Sequence, residues 1–175
     1  MKITRPVLSI VPLLLALSIH AQTMPGKNPF QSLSFLEGTW EAKTAGSSGV
    51  DAGGKYAFVL ELKNHVMGRH AISKGSCKGP ENFDCDHGDL LYIYPDGPQQ
   101  TLHAIYFDNE GHVIQYNVST PTPNTAVFLS DSSQPGPQFR LIYERKVNTM
   151  FGKFQMRLPG QIEWKDYLEW SGDKR

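Results

Sequence analysis

From Thr39 to the C-terminus the chain repeats one event, a strand-length run of apolar, β-branched and aromatic residues followed by a cluster of turn formers. The runs fall at 39–45, 55–62, 65–74, 88–94, 101–107, 112–119, 125–130, 137–144, 149–157 and 162–170. Most successive runs start about 10–13 residues apart, with wider gaps before 55 and 88 and no helical period between them, which argues against a parallel sheet with crossover helices. Short sequential links favour an antiparallel up-and-down meander. A meander of about ten strands removes its edges by closing into a β-barrel. The fold class is therefore mainly β.

The run is introduced by Asn28-Pro29, a helix start with Asn as cap and Pro at the first helical position. Phe30, Leu33 and Leu36 share one face, and Gly38 stands where a helix stops. Residues 29–36 are expected to form a short helix that caps the barrel, with Trp40 closing that end. The Gly/Ser-rich stretch from Ala45 to Gly54 is expected to be a loop.

Residues 1–21 read as a secretory signal peptide: Lys2 and Arg5, then an apolar run from Val7 to Ile19, then His20-Ala21 before Gln22. The run is shorter than the roughly 20 residues that cross a bilayer. The mature chain would then have a flexible lead-in over 22–28 and a single barrel domain over 29–175, located in the periplasm or outside the cell. The 17 Lys and Arg match the 17 Asp and Glu, and losing Lys2 and Arg5 leaves the mature chain slightly acidic. Bulk charge recruits neither nucleic acid nor an anionic membrane, and no second apolar stretch spans a membrane. In an exported chain, Cys77 and Cys85 are expected to form a disulfide closing a short turn-rich loop, worth about 2–3 kcal/mol by chain entropy.

Hairpin patterns assign faces. A turn at Lys63-Asn64 places Tyr56, Phe58, Leu60 and Leu62 opposite His65, Met67, Arg69 and Ala71. A turn over Asp108–Gly111 pairs Phe107 with His112, Ile105 with Ile114 and His103 with Tyr116, pointing His103, Ile105 and Tyr116 inward. A third turn, at 145–148, groups Phe139, Leu141 and Tyr143 with Met150, Phe154 and Met156. On the last strand Ile162, Trp164, Asp166, Leu168 and Trp170 form one row, with Asp166 its polar member. A one-residue slip in any hairpin reverses its assignments.

These faces yield a candidate ligand site. Apolar burial would come from Trp40, Phe58, Ile105, Tyr143 and Met156. An inward Arg69 needs a partner, because an unpaired buried charge is costly. Asp166 is the expected one. Alternatively Arg69, with His103 and Tyr116, would hold the carboxylate or phosphate head of an amphipathic ligand through its bidentate fork. No pair of the six histidines has metal-site spacing. Asp84 to Asp89, which includes His87, lacks the acid spacing of a calcium loop and reads as a solvated turn. No activated nucleophile is evident, so no catalytic residue is assigned.

Leu36-Glu37-Gly38-Thr39-Trp40-Glu41, with the helix before it and the strands after it, resembles the opening of the calycin barrels. That group includes lipocalins, fatty-acid-binding proteins and nitrobindin-like proteins, and the segment also resembles a group of bacterial secreted proteins with a Leu-x-Gly-x-Trp start. The resemblance implies a lipocalin-like barrel with an apolar molecule, or haem, in its lumen. Nitrobindin-like proteins place a haem-ligating histidine near the C-terminus, where 166–170 here has none, and Tyr167 is expected to face outward. No cofactor is required by the sequence. Alternatives to a small-molecule carrier are a barrel enzyme with a histidine base and a filled barrel that acts through its loops.

Overall fold

The computed structural model describes residues 28–44, 51–73, 78–79, 85–133 and 135–175. The expected signal peptide, nearly all of the lead-in over 22–28, most of the loop after Ala45 and Cys77, the expected partner of Cys85, lie outside the described residues.

Among the described residues ten strands follow one short 3-10 helix, Gln31–Leu36. They are β1 (Gly38–Thr44), β2 (Gly53–Glu61), β3 (Val66–Ser73), β4 (Gly88–Asp96) and β5 (Thr101–Asp108), then β6 (Val113–Thr122), β7 (Thr125–Ser130), β8 (Gln138–Lys146), β9 (Thr149–Arg157) and β10 (Lys165–Lys174). Every strand pairs with its sequence neighbour, and β1 pairs with β10, so the sheet is a closed antiparallel barrel. No helix among the described residues is long and apolar enough to cross a membrane.

The helix is tighter than an α-helix and starts later than residue 29. Asn28 still serves its entry, its Oδ1 accepting a hydrogen bond from the Phe30 N–H at 3.0 Å. Phe30, Leu33, Phe35 and Leu36 are buried. The Trp40 indole N–H, also buried, donates to the Leu36 carbonyl at 2.8 Å and ties helix to barrel. Gly38 makes the turn between them at φ +118°, where a Cβ would also meet the Lys174 side chain at 2.8 Å.

Two of the three expected hairpins have the expected faces. Tyr56, Phe58 and Leu60 oppose Ala71, Arg69 and Met67. Lys63 and Asn64 turn the chain at φ 56° and 66°, while Leu62 and His65 belong to that turn rather than to the inward row. Phe139 and Leu141 oppose Met156 and Phe154, and Tyr143 opposes Gly152.

The β5–β6 hairpin is shifted by one residue. Ala104 pairs with Tyr116 and Tyr106 with Ile114. The Asp108 carboxylate accepts hydrogen bonds from the Glu110 and His112 N–H groups at 3.1 and 2.9 Å, which draws His112 into the loop. Tyr116 stays inward, but His103 and Ile105 move to the outer face, where His103 lies against Tyr94. A bulge between Asp166 and Leu168 does the same on β10. Leu168 and Trp170 keep the inward face, whereas Asp166 opposes Gln155 on the outer face, bonded to Gln155 and Lys153. Ile162 and Trp164 precede the strand, and Ile162 is 88 % exposed.

The core fills the helix end. Trp40, Phe58, Met67, Ile93, Phe128, Tyr143 and Met150 are fully buried there, with the helix beneath them. Tyr143 is the hub, its ring centre 5.3 Å from Phe58, 5.9 Å from Tyr56 and 5.7 Å from Trp170. At the opposite end the β1–β2, β3–β4, β5–β6, β7–β8 and β9–β10 connections leave and re-enter the barrel.

Candidate functional site

Above the Tyr143 layer the lumen holds a cavity of about 410 Å³ that opens at the end opposite the helix. This is within the ordinary size of a small-molecule site. Its walls come from alternate residues of successive strands. Tyr56 (β2), Arg69 and Ala71 (β3), Tyr106 (β5), Ile114 and Tyr116 (β6), Leu141 (β8), Phe154 and Met156 (β9), and Leu168 and Trp170 (β10) make it largely aromatic and aliphatic. Trp170 lies flat on its wall because its cross-strand partner is Gly152. A Cβ there would fall 2.0 Å from the indole.

One charged pair is set into this apolar wall. Arg69 and Asp89 are each only 8 % exposed, and Arg69 Nη1 donates to Asp89 Oδ1. The guanidinium also lies over the Tyr56 and Tyr143 rings, 5.4 and 5.8 Å from their centres. Burial opposes ionisation of Arg69, but Asp89 outweighs it and holds its pKa above the ordinary value. Arg69 is therefore charged at any physiological pH.

Hydrogen bonding around the pair is incomplete. Arg69 Nε and the hydroxyls of Tyr56 and Tyr143 are buried without a hydrogen bond of good geometry. For Tyr56 the Trp170 indole is a favourable polar neighbour. Burial pushes the Tyr56 hydroxyl up to about 12, despite the opposing pull of Arg69. Burial likewise raises Tyr143, Tyr116 and Tyr106. All four phenols are neutral donors in this setting.

A second polar group stands at the rim. His87 Nδ1 lies 3.0 Å from Glu110, and its Nε2 lies 3.2 Å from the Tyr106 hydroxyl and 3.5 Å from Asp89. The Tyr106 hydroxyl donates to Asp108 at 3.2 Å, and His112 Nδ1 is 2.8 Å from the same carboxylate. Hydrogen bonding to Asp89, opposed by partial burial and helped by Glu110, raises the His87 pKa. Among the described residues no group of three or more His, Cys, Asp or Glu is placed to hold a metal ion.

The expected ligand-binding residues thus separate into three sets. Arg69, Tyr116 and Met156 line the cavity. Trp40, Phe58 and Tyr143 point inward but form the packed layer beneath it. His103, Ile105 and Asp166 are on the outside, so the expected Arg69–Asp166 pair and the Arg69–His103 grouping do not form. Asp89, expected in a solvated turn, is instead the first inward residue of β4 and the true partner of Arg69. The signal was present: in Asp89-Leu90-Leu91-Tyr92-Ile93, Asp89 alternates with the buried Leu91 and Ile93. Tyr167, expected to face outward, sits in the bulge and lines the mouth, its ring edge-on to Phe154.

The wall histidines, His87 and His112, stand at the rim and each directs a ring nitrogen at a carboxylate.

Comparison with known proteins leaves the family open. No family model and no curated protein matches this chain. Among solved structures, that of EF1p2_mFAP2b bound to DFHBI matches with 10 % sequence identity and a TM-score of 0.38, over 83 % of this chain and 98 % of that one. A likeness that distant does not bear on what this barrel holds.

Proposed function

We propose that this chain is an exported small-molecule-binding protein that holds an apolar or amphipathic molecule in its barrel lumen. One observation carries the reading: the barrel is packed solid at the helix end and leaves a cavity of about 410 Å³ at the other. A chain selected only as a scaffold gains from filling such a space, because unfilled apolar volume forfeits contacts. Burying apolar ligand surface against Phe154, Leu141, Leu168 and Trp170 stabilises a complex by about 25 cal/mol per Å² before the costs of association. The reading requires no cofactor. Export is supported by the apolar leader pattern over 1–21, and a Cys77–Cys85 bridge would staple the chain near the cavity mouth.

The test is native mass spectrometry of the mature protein purified from the exported fraction of its own host, together with titration of N-phenyl-1-naphthylamine, an uncharged fluorophore. A retained small-molecule mass, or saturable fluorophore binding that Leu141→Trp abolishes, supports the lumen reading. An apo mass with no saturable binding would refute it.

A further inference from the structure

The connection between β9 and β10, residues 158–164, leaves the barrel at the cavity mouth. Met156 before it, and Tyr167 and Leu168 after it, line the cavity. This stretch shows large apolar side chains to water: Leu158 is 40 % exposed, Ile162 88 % and Tyr167 58 %. A single exposed apolar residue is ordinary, but three within one short hairpin end are not. The tip is also ordered. Leu158-Pro159-Gly160-Gln161 closes as a β-turn, the Gln161 N–H donating to the Leu158 carbonyl at 3.0 Å. Pro159 followed by Gly160 at φ +78° is the residue order of a type II turn.

Two guanidiniums stand beside this tip. Trp164, the last residue of the connection, carries Arg140 and Arg157 over its ring, their Cζ atoms 4.3 and 4.7 Å from the centre. Each arginine donates to a neutral amide, Arg140 Nε to Gln155 at 2.7 Å and Arg157 Nη2 to Gln138. Among the described residues neither is ion-paired, because Lys153 takes the nearby carboxylates of Asp166 and Glu169, at 3.3 and 2.6 Å. Partial burial and the charge of Arg157 lower the Arg140 pKa, and Asp166 offsets this only in part. Lys165 follows, exposed, and Glu163 is the one acid in the connection. The chain as a whole is not basic, so the positive excess is local.

Aliphatic side chains at a tip, with tryptophan, tyrosine and unneutralised arginines behind them, match the boundary of an anionic bilayer. There the aliphatic groups enter the acyl region, the rings lie at headgroup level and the guanidiniums meet phosphates. A bilayer also accounts for the position of the tip. On the lumen reading the ligand is apolar and resides in lipid, and a mouth held against the surface spares it a passage through water.

We propose that the β9–β10 connection docks the barrel, mouth toward the bilayer, on an anionic lipid surface, with Leu158 and Ile162 entering the acyl boundary and Arg140 and Arg157 holding lipid phosphates.

The experiment is flotation of the full mature chain with vesicles of phosphatidylcholine alone, or of equal parts phosphatidylcholine and phosphatidylglycerol, at low salt. Wild type is expected to float with the anionic vesicles and to bind the neutral ones about tenfold more weakly. Ile162→Asp alters a side chain that is almost wholly in water, and is expected to weaken anionic-vesicle binding about tenfold. Its affinity for N-phenyl-1-naphthylamine in vesicle-free buffer should stay that of wild type. Arg157→Gln is expected to weaken vesicle binding about fivefold. Wild type that does not float with anionic vesicles, or Ile162→Asp that floats as wild type does, would overturn the docking and leave the lumen reading standing. Equal flotation with the two vesicles, or unchanged binding by Arg157→Gln, would overturn the role of the arginines. A wild-type chain that ignores vesicles but elutes as a dimer, which Ile162→Asp separates, would give the tip to a second copy and overturn the lipid assignment. Vesicle binding with no fluorophore binding in wild type would support the docking and refute the lumen reading.

Discussion

Arg69 and Asp89 meet diagonally across β3 and β4, on the inward face of the barrel, although neither is the other's register partner. Arg69 opposes Leu91 and Asp89 opposes Ala71, one pleat repeat apart. The offset lets the long guanidinium stem reach along the wall while its head stays over Tyr56 and Tyr143. Removing one member strands the other in an apolar wall. Asp89→Ala is expected to cost about 3–5 kcal/mol in urea unfolding, whereas the paired replacement Arg69→Met with Asp89→Leu should be close to neutral. Equal losses in the single and double variants would show that the charges are solvated after all.

Gly152 supplies the space that keeps Trp170 flat against the lumen wall. An alanine Cβ at this position would fall 2.0 Å from the indole, so Trp170 must swing inward or the strands must part. Gly152→Ala is expected to destabilise by about 1–3 kcal/mol, as overpacking does. It should also change the near-ultraviolet circular dichroism of the tryptophans and lower fluorophore affinity. Unaltered spectra and binding would place Trp170 elsewhere in solution.

Much of this architecture is legible in the chain, and the failures have local causes. Hairpins β2–β3 and β8–β9 have short turns and alternate cleanly, so Arg69, Leu141 and Met156 can be assigned to the lumen from their spacing alone. The β5–β6 register fails because the Asp108 side chain, by binding the Glu110 and His112 N–H groups, builds a longer loop than Gly111 at φ +89° suggests. One residue of loop exchanges His103 and Ile105 for Ala104 and Tyr106. The bulge at Tyr167 moves Asp166 outside by the same arithmetic, and no residue type in that segment announces it. Asp89 is missed for a different reason. Acid residues around His87 suggest solvent, whereas only the tertiary placement of Arg69 makes a buried carboxylate affordable.

Stability should depend on pH through the rim. The His87 pKa is raised by Asp89 and Glu110 against partial burial. Its protonated form therefore contributes stability that is complete below the unfolded value of about 6.5 and is lost as pH rises through the higher folded value. Asp108 acts in the opposite sense. Burial raises its carboxyl, but hydrogen bonds from His112 outweigh this and lower it below 3.8. Its contribution is present above that value and disappears as pH falls through the folded pKa. Thermal unfolding should show Tm falling from pH 6.5 toward pH 8.5 in wild type and flat over that interval in His87→Gln. An identical slope in both would assign the effect to another group.

The closed end depends on Trp40 twice, through its volume and through its single hydrogen bond. The indole is fully buried, stacked 6.5 Å from Tyr56, and its N–H satisfies the Leu36 carbonyl at the last turn of the helix. Trp40→Phe keeps most of the packing but leaves that carbonyl unpaired, which should cost about 1–3 kcal/mol. Trp40→Ala removes the packing as well and should cost about 3–5 kcal/mol. Because Trp40 belongs to the packed layer and is not itself on the cavity wall, folded Trp40→Phe should bind N-phenyl-1-naphthylamine with wild-type affinity. Reduced affinity in a variant of near-wild-type stability would instead mean that the helix end and the lumen move together, and that the floor of the site is set by the helix rather than by the Tyr143 layer.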